Sequence, residues 1–87
     1  MTYALNFLRK AREQLNELDS SLKRRIGKVL DRVCVNPDHF VVRLVGYPDY
    51  KVKVGKYRVI VSIDRANKVI TVLRVDLRKK VYKKPFL

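Results

Sequence analysis

Lys51 and Lys53 stand two positions apart, a Gly55-Lys56 pair follows them, and Arg58 comes directly after Tyr57. A two-residue loop that begins with glycine suits a type II′ hairpin turn. With that turn, Val54 faces Tyr57, Lys53 faces Arg58 and Val52 faces Val59. Directly opposed residues share a face, so Lys53 and Arg58 stand side by side with Lys51 nearby, while Val52, Val59 and Val61 alternate with them. Like charges opposed on a hairpin are destabilising, and a phosphate between them would remove the repulsion. The competing reading is a solvated cationic face without chemistry. Further along, Arg74, Asp76 and Arg78 share strand parity, and Tyr82 follows Arg78 closely. An arginine for a phosphate and an aromatic ring for a base is the usual pair for holding a single-stranded nucleotide, although a tyrosine near a chain end also serves as a lid over a core. Lys56, Arg74, Lys79 and Lys80 complete the set as candidate contacts to the nucleic-acid backbone.

The charge of the whole chain points the same way. Lys plus Arg number 21 against 8 acidic residues, a formal charge of +13 on 87 residues, with 47% of the chain hydrophobic. Such a chain can build a core, and self-repulsion of this size calls for a polyanionic partner: RNA, DNA, a ribosome or an acidic protein. Residues 1–36 hold 8 basic and 4 acidic side chains, whereas residues 37–87 hold 13 and 4, which turns the second half toward the polyanion. One Cys and one His cannot make a disulfide framework or a zinc site. Asp19, Asp38, Asp49 and Asp64 fall in turns or caps, so no carboxylate cluster suggests Mg²⁺, and no cofactor is expected. Cys34 reads as a small buried hydrophobe. No apolar run approaches the ~18 residues of a membrane span, and Met1 to Phe7 lacks the pattern of a signal peptide, so a reduced, cytoplasmic setting is expected.

The elements that must position these side chains are legible from periodicity. Thr2 to Phe7 reads as a short strand; Phe7, Ala11, Leu15 and Leu18 then recur at helical spacing. Asp19-Ser20-Ser21 supplies capping oxygens for a second helix with Leu22, Ile26, Val29, Leu30 and Val33 on one stripe, and Asn36-Pro37 ends it. Beyond Pro37 the period falls to two. Strands are expected over Phe40–Val45, Tyr50–Val54, Tyr57–Asp64 and Val69–Leu77, joined by hairpin-sized connections. One domain over residues 1–87 is expected, of α+β class: an N-terminal strand and helical hairpin packed on a four-stranded antiparallel sheet in two layers.

These residues, in this order, resemble the RelE/ParE superfamily of toxins from type II toxin–antitoxin systems, and its RelE branch most closely. The resemblance runs through Tyr3 and Phe7, Ala11, Leu15 and Leu18, Asn36-Pro37, Arg43-Leu44-Val45-Gly46 and Lys51-Val52-Lys53-Val54. It continues through Gly55-Lys56-Tyr57-Arg58-Val59 and Val75-Asp76-Leu77-Arg78-Lys79-Lys80-Val81-Tyr82. It implies a ribosome-dependent messenger-RNA endonuclease held inactive by a cognate acidic, RelB-like antitoxin, in a toxin–antitoxin hetero-oligomer. Lys51 and Lys53 resemble the family's basic strand pair, Arg58 its arginine after the Gly-x-Tyr turn, Arg78 the arginine near the end of the last strand, and Tyr82 the tyrosine that stacks on a substrate base. At Leu77, where many relatives carry His or Lys, the sequence departs from the pattern.

Cleavage of RNA requires deprotonation of a 2′-hydroxyl, stabilisation of the charged phosphorane and protonation of the leaving 5′-oxygen. Lys53 is the candidate base, because the like charges of Lys51, Arg58 and Arg78 favour its neutral amine. Arg58 and Arg78 are candidates to hold the phosphate, and Tyr82 to splay the dinucleotide into line. Arginine is too weak an acid to protonate the leaving group readily, which leaves that donor unassigned. The alternatives are a ParE-like toxin that inhibits DNA gyrase, which lacks this Lys/Arg/Tyr set, and a basic RNA-binding module without catalysis.

Overall fold

The computed structural model describes residues 2–77. Strand β1 (Ala4–Phe7) leads into helices α1 (Arg9–Asn16) and α2 (Ser20–Val35) and a helical turn α3 (Pro37–Phe40). Strands β2 (Val41–Arg43), β3 (Tyr50–Val54), β4 (Tyr57–Asp64) and β5 (Val69–Leu77) follow. Helix α2 starts where its first unpaired amides find a partner: Asp19 Oδ1 accepts from Leu22 N–H at 2.8 Å. Its apolar stripe is buried through Ile26, Leu30, Val33 and Cys34, with Leu22 and Val29 partly covered. Against it pack Val52, Val54, Val59, Val61, Ile70, Val72 and Val75 from one face of the sheet. Each such side chain fully removed from water contributes about 1.5–3 kcal/mol, so this seam carries the fold. Gln14 Oε1 accepts from Val75 N–H at 2.9 Å and ties α1 to β5.

The sheet has the order β1-β5-β4-β3-β2. The four later strands form the expected antiparallel meander, with β3, β4 and β5 bounded as their alternation predicts. The first strand is not a separate element: it is the fifth strand of the sheet, parallel to β5, with Ala4 opposite Val69 and Phe7 opposite Val72. Tyr3, Leu5 and Phe7 turn to the core while Ala4 and Asn6 are exposed, the alternation of an edge strand with one covered face. It also closes the β5 edge, which would otherwise present unpaired amides.

The segment after α2 departs from expectation as well. Phe40 to Val45 does not form one strand: Pro37 starts a helical turn, where its missing N–H costs nothing and its φ is preset, and pairing is confined to Val41–Arg43. The chain then turns, with Leu44 N–H donating to the Asp49 carbonyl at 3.0 Å and Gly46 at φ +80°. Leu44 thereby joins Ile60, Tyr47 and Leu73 in a small apolar cluster on the sheet face opposite the helices. Ile60 pairs with Arg74 but Val61 pairs with Val72, so Leu73 is the extra residue of a bulge in β5.

Candidate nucleic-acid interface

The β3–β4 turn has the geometry its glycine requires. Gly55 lies at φ +59° and Lys56 has a negative φ, the combination of a type II′ turn. Lys53 is paired with Arg58, and Arg58 in turn with Asp76, so these three form one row across β3, β4 and β5. The next row is Lys51, Ile60 and Arg74. Both rows lie on the face opposite the helices, because the alternate residues Val52, Val59 and Val75 are core. The structure thus brings Lys51, Lys53, Arg58 and Arg74 to one surface, with Lys56 exposed at its tip.

Arg58 is the single buried charged residue among those described, at 7% exposure. Its Nη1 donates to the carbonyls of Gly55 and Tyr57, each at 2.9 Å, while its Nε–H is buried without a partner. The carboxylates of Asp64 and Asp76 are engaged elsewhere. Asp64 accepts from the backbone and side-chain amides of Asn67 at 3.0 and 2.9 Å, which hold its carboxyl below the usual carboxylate range. Asp76 Oδ2 accepts from Arg74 Nη2 at 2.9 Å and its Oδ1 from Leu77 N–H at 2.8 Å. The hairpin has folded its carbonyls around one end of the guanidinium, which leaves the Nε–H without an acceptor. One carboxylate, Asp76, faces four cations in these two rows.

Arg78, Lys79, Lys80 and Tyr82 lie outside the described residues. Tyr50 and Tyr57 are partly buried against the main core and Tyr47 against the smaller cluster, in line with core and turn roles. Cys34 is buried, and burial followed by the charge of Asp31 pushes its thiol up. His39 belongs to α3 and packs edge-on against Phe40, with centroids 4.8 Å apart. Among the described residues no three His, Cys, Asp or Glu side chains gather as metal ligands. No helix of the described residues is long and apolar enough to cross a membrane. Sequence reasoning missed two features: the burial of Arg58, and the place of Arg25, whose Nη1 lies 3.2 Å from where a Cβ on Gly55 would stand.

The family model for the ParE toxin of type II toxin–antitoxin systems matches residues 4–82. This chain belongs to the RelE/ParE toxin superfamily. Solved structures place the toxin in the RelE branch. It is 29% identical to the archaeal RelE–RelB complex from Pyrococcus horikoshii OT3, with 90% of this chain and 97% of that chain covered and a TM-score of 0.76. A free-state double mutant of the Escherichia coli toxin RelE is 28% identical, with 94% and 92% covered and a TM-score of 0.79. The toxin–antitoxin complex RelBE2 from Mycobacterium tuberculosis, at 22% identity, shares the fold over 90% of this chain and 100% of that one, with a TM-score of 0.79. No curated protein matches the sequence. The chain is a toxin of a type II toxin–antitoxin system with the α+β fold of RelE.

Proposed function

We propose that this RelE-branch toxin is a metal-independent, ribosome-dependent messenger-RNA endonuclease of the cytoplasm. The observation that carries the reading is the buried guanidinium of Arg58: its unpartnered Nε–H sits beside Lys53 on a face with a cationic excess. A buried N–H without an acceptor costs about 1–3 kcal/mol, and a phosphate oxygen that reaches it as the side chains covering it move aside would remove that cost while neutralising the charge. In the proposed reaction Lys53 takes the proton of a 2′-hydroxyl, the O2′–P bond forms, and the P–O5′ bond breaks as the departing oxygen takes up a proton. Arg58 and Arg78 stabilise the phosphorane, Lys51 adds charge behind Lys53, and Tyr82 stacks on a base of the splayed dinucleotide. Lys56, Arg74, Lys79 and Lys80 contact the flanking backbone. The product is a 2′,3′-cyclic phosphate or the 3′-phosphate derived from it.

The partner of the free toxin in this reading is an acidic RelB-like antitoxin. Support comes from the Pyrococcus horikoshii relative, which is a RelE–RelB complex. The deciding experiment incubates purified chain with programmed ribosomes and maps the ends of the messenger RNA. Cyclic-phosphate ends that appear only with ribosomes and vanish on addition of antitoxin are expected. Inhibition of gyrase supercoiling without any RNA cleavage would overturn the reading in favour of the ParE-like alternative.

A further inference from the structure

The outer face of the sheet does not exhaust the charge of this toxin. On α2, Arg24, Lys28 and Arg32 follow one another at four-residue spacing with Arg25 beside them, and all four are exposed. Like charges at i, i+4 destabilise a helix. None of the four makes an ion pair, whereas Arg65 pairs with Asp38 and Arg74 with Asp76. Even Asp31, the one carboxylate on α2, leaves them unpaired.

The stripe is also joined to the candidate cleavage site. Arg25 reaches the β3–β4 turn, with its Nη1 3.2 Å from the position of a Cβ on Gly55, while Arg58 holds the carbonyl of the same glycine. Between α2 and the turn lies a cleft of about 260 Å³, lined by Ser21, Arg25, Lys56 and Tyr57 among others. Asp19, the carboxylate in that cleft, is engaged as the cap of α2 by Leu22 N–H. Cations therefore run from Lys53 and Arg58 over Lys56 to Arg25 and down a helix about 24 Å long, from 16 residues at 1.5 Å each.

The geometry points to a second RNA-backbone surface on α2. A strand that leaves the cleavage site passes over Lys56 and Arg25 and continues along Arg24, Lys28 and Arg32. This extends the proposed endonuclease by naming where the substrate runs beyond the scissile phosphate. A polyanionic backbone fits better than a protein. Interface cores between proteins are depleted of charge and built on apolar anchors, whereas the large exposed hydrophobics among the described residues are Leu8, Val35, Val42 and Val45, and of these only Val35 lies on α2, in its last position. Phosphates need no such anchor.

The test uses the full chain and 2′-O-methyl RNA, which binds but cannot supply the attacking hydroxyl. Oligonucleotides of ~4 and ~12 nucleotides bracket a site-only contact and one that reaches α2. Wild-type chain is expected to bind the longer oligonucleotide about tenfold or more tightly at low salt, with a log–log salt slope steeper by about 0.7 for each added phosphate contact. The triple variant Arg24→Gln/Lys28→Gln/Arg32→Gln should lose that length increment and the extra slope. Its binding of the short oligonucleotide and its saturated single-turnover cleavage rate should match wild type. Each single substitution should remove about 0.7 from the slope, and a thermal melt confirms that the variants are folded. A wild-type chain with no length increment, or a triple variant that keeps it, overturns the proposal. So does a triple variant that loses antitoxin while keeping its RNA length dependence, because the stripe is then a protein surface. If wild type cleaves no RNA yet its length increment depends on these three cations, the endonuclease reading fails and the α2 surface stands.

Discussion

Lys53 and Arg58 face each other across one hairpin and differ in what surrounds them, which separates their substitutions. Lys53 is exposed, so Lys53→Ala should leave stability within about 0.5 kcal/mol of wild type. The same substitution should lower the single-turnover rate of ribosome-bound cleavage at least about 100-fold, the scale of a lost general base. Lys53→Arg keeps the charge but has no neutral form to accept a proton, so it should rescue poorly; full activity in that variant would reduce Lys53 to a phosphate guide. Arg58 is buried and bonded to the Gly55 and Tyr57 carbonyls, so Arg58→Ala exposes a cost in folding as well as in rate. Leaving those carbonyls unmet should cost about 1–3 kcal/mol in urea denaturation, and Arg58→Lys should recover part of the stability without recovering the two-pronged phosphate contact. The exposed carboxylates behave independently of this site. The Arg65 hydrogen bond holds Asp38 below the usual carboxylate range, and the Asn67 amides do the same for Asp64. A depressed folded-state value means stabilisation that is present above the ordinary Asp range and lost as pH falls through the folded value. Carboxyl titration by NMR should therefore find both below ordinary Asp, and Arg65→Ala should return Asp38 alone to the usual range.

At the scale of elements, the β3–β4 hairpin joins local rules to chemistry. Gly55→Ala meets a fixed obstacle in the positive φ of +59°, and the exposed Arg25 guanidinium 3.2 Å from the new methyl must shift to admit it. It should destabilise by more than about 1 kcal/mol and, by moving the carbonyl that holds Arg58, lower the cleavage rate beyond what the stability loss explains. Chemical denaturation and single-turnover rates on the same variant separate the two effects; a destabilised variant with normal rates would detach the turn from the site. This hairpin was legible in the sequence because a glycine-first loop and strict alternation are local signals that fix a register. The stripe of α2 was legible for the same reason. The parallel docking of Ala4–Phe7 on β5 was not, since it pairs the two ends of the described chain and no local pattern encodes which edge a strand takes. Val/Ile-rich composition likewise suggested one strand through Phe40–Val45, where Pro37 at a helical first position and Gly46 at a positive φ cut it to three residues. At the site, strand parity located Lys51, Lys53 and Arg58 on one face and Arg74 with Asp76 on one side of the last strand, and the β4–β5 register joins the two sets. The burial of Arg58 depends on how the turn carbonyls close over it, and the grip of Asp76 on Arg74 on side-chain choice within β5.

For the whole molecule, the distribution of charge decides how an antitoxin can hold it. Cations cover both the outer face of the sheet and the solvent side of α2, with a Cα envelope of 31 × 31 × 23 Å between and around them. An acidic chain drawn by +13 would associate fast and weaken steeply with salt if charge were its main attachment. Apolar contact points exist at the end of a cationic row, where Val42 stands opposite Lys51, and beyond the rows. Val42 and Val45 are exposed at the β2 edge, Leu8 precedes α1, and a cleft of about 250 Å³ lined by Leu18, Tyr57, Val75 and Leu77 opens between α1 and the end of β5. An antitoxin that places apolar side chains there gains attachment that salt does not screen, while its carboxylates cover the cations that RNA would use. Titration of antitoxin into the toxin at rising ionic strength should therefore show an affinity that falls at first and then levels, with tight binding retained at about 0.5 M salt, where the screening length is only a few ångströms. Loss of all binding at that salt would mean that apolar burial contributes little and that the partner is held by charge alone. In that case the same cations would serve antitoxin and RNA in direct competition, and the salt slopes of the two complexes should coincide.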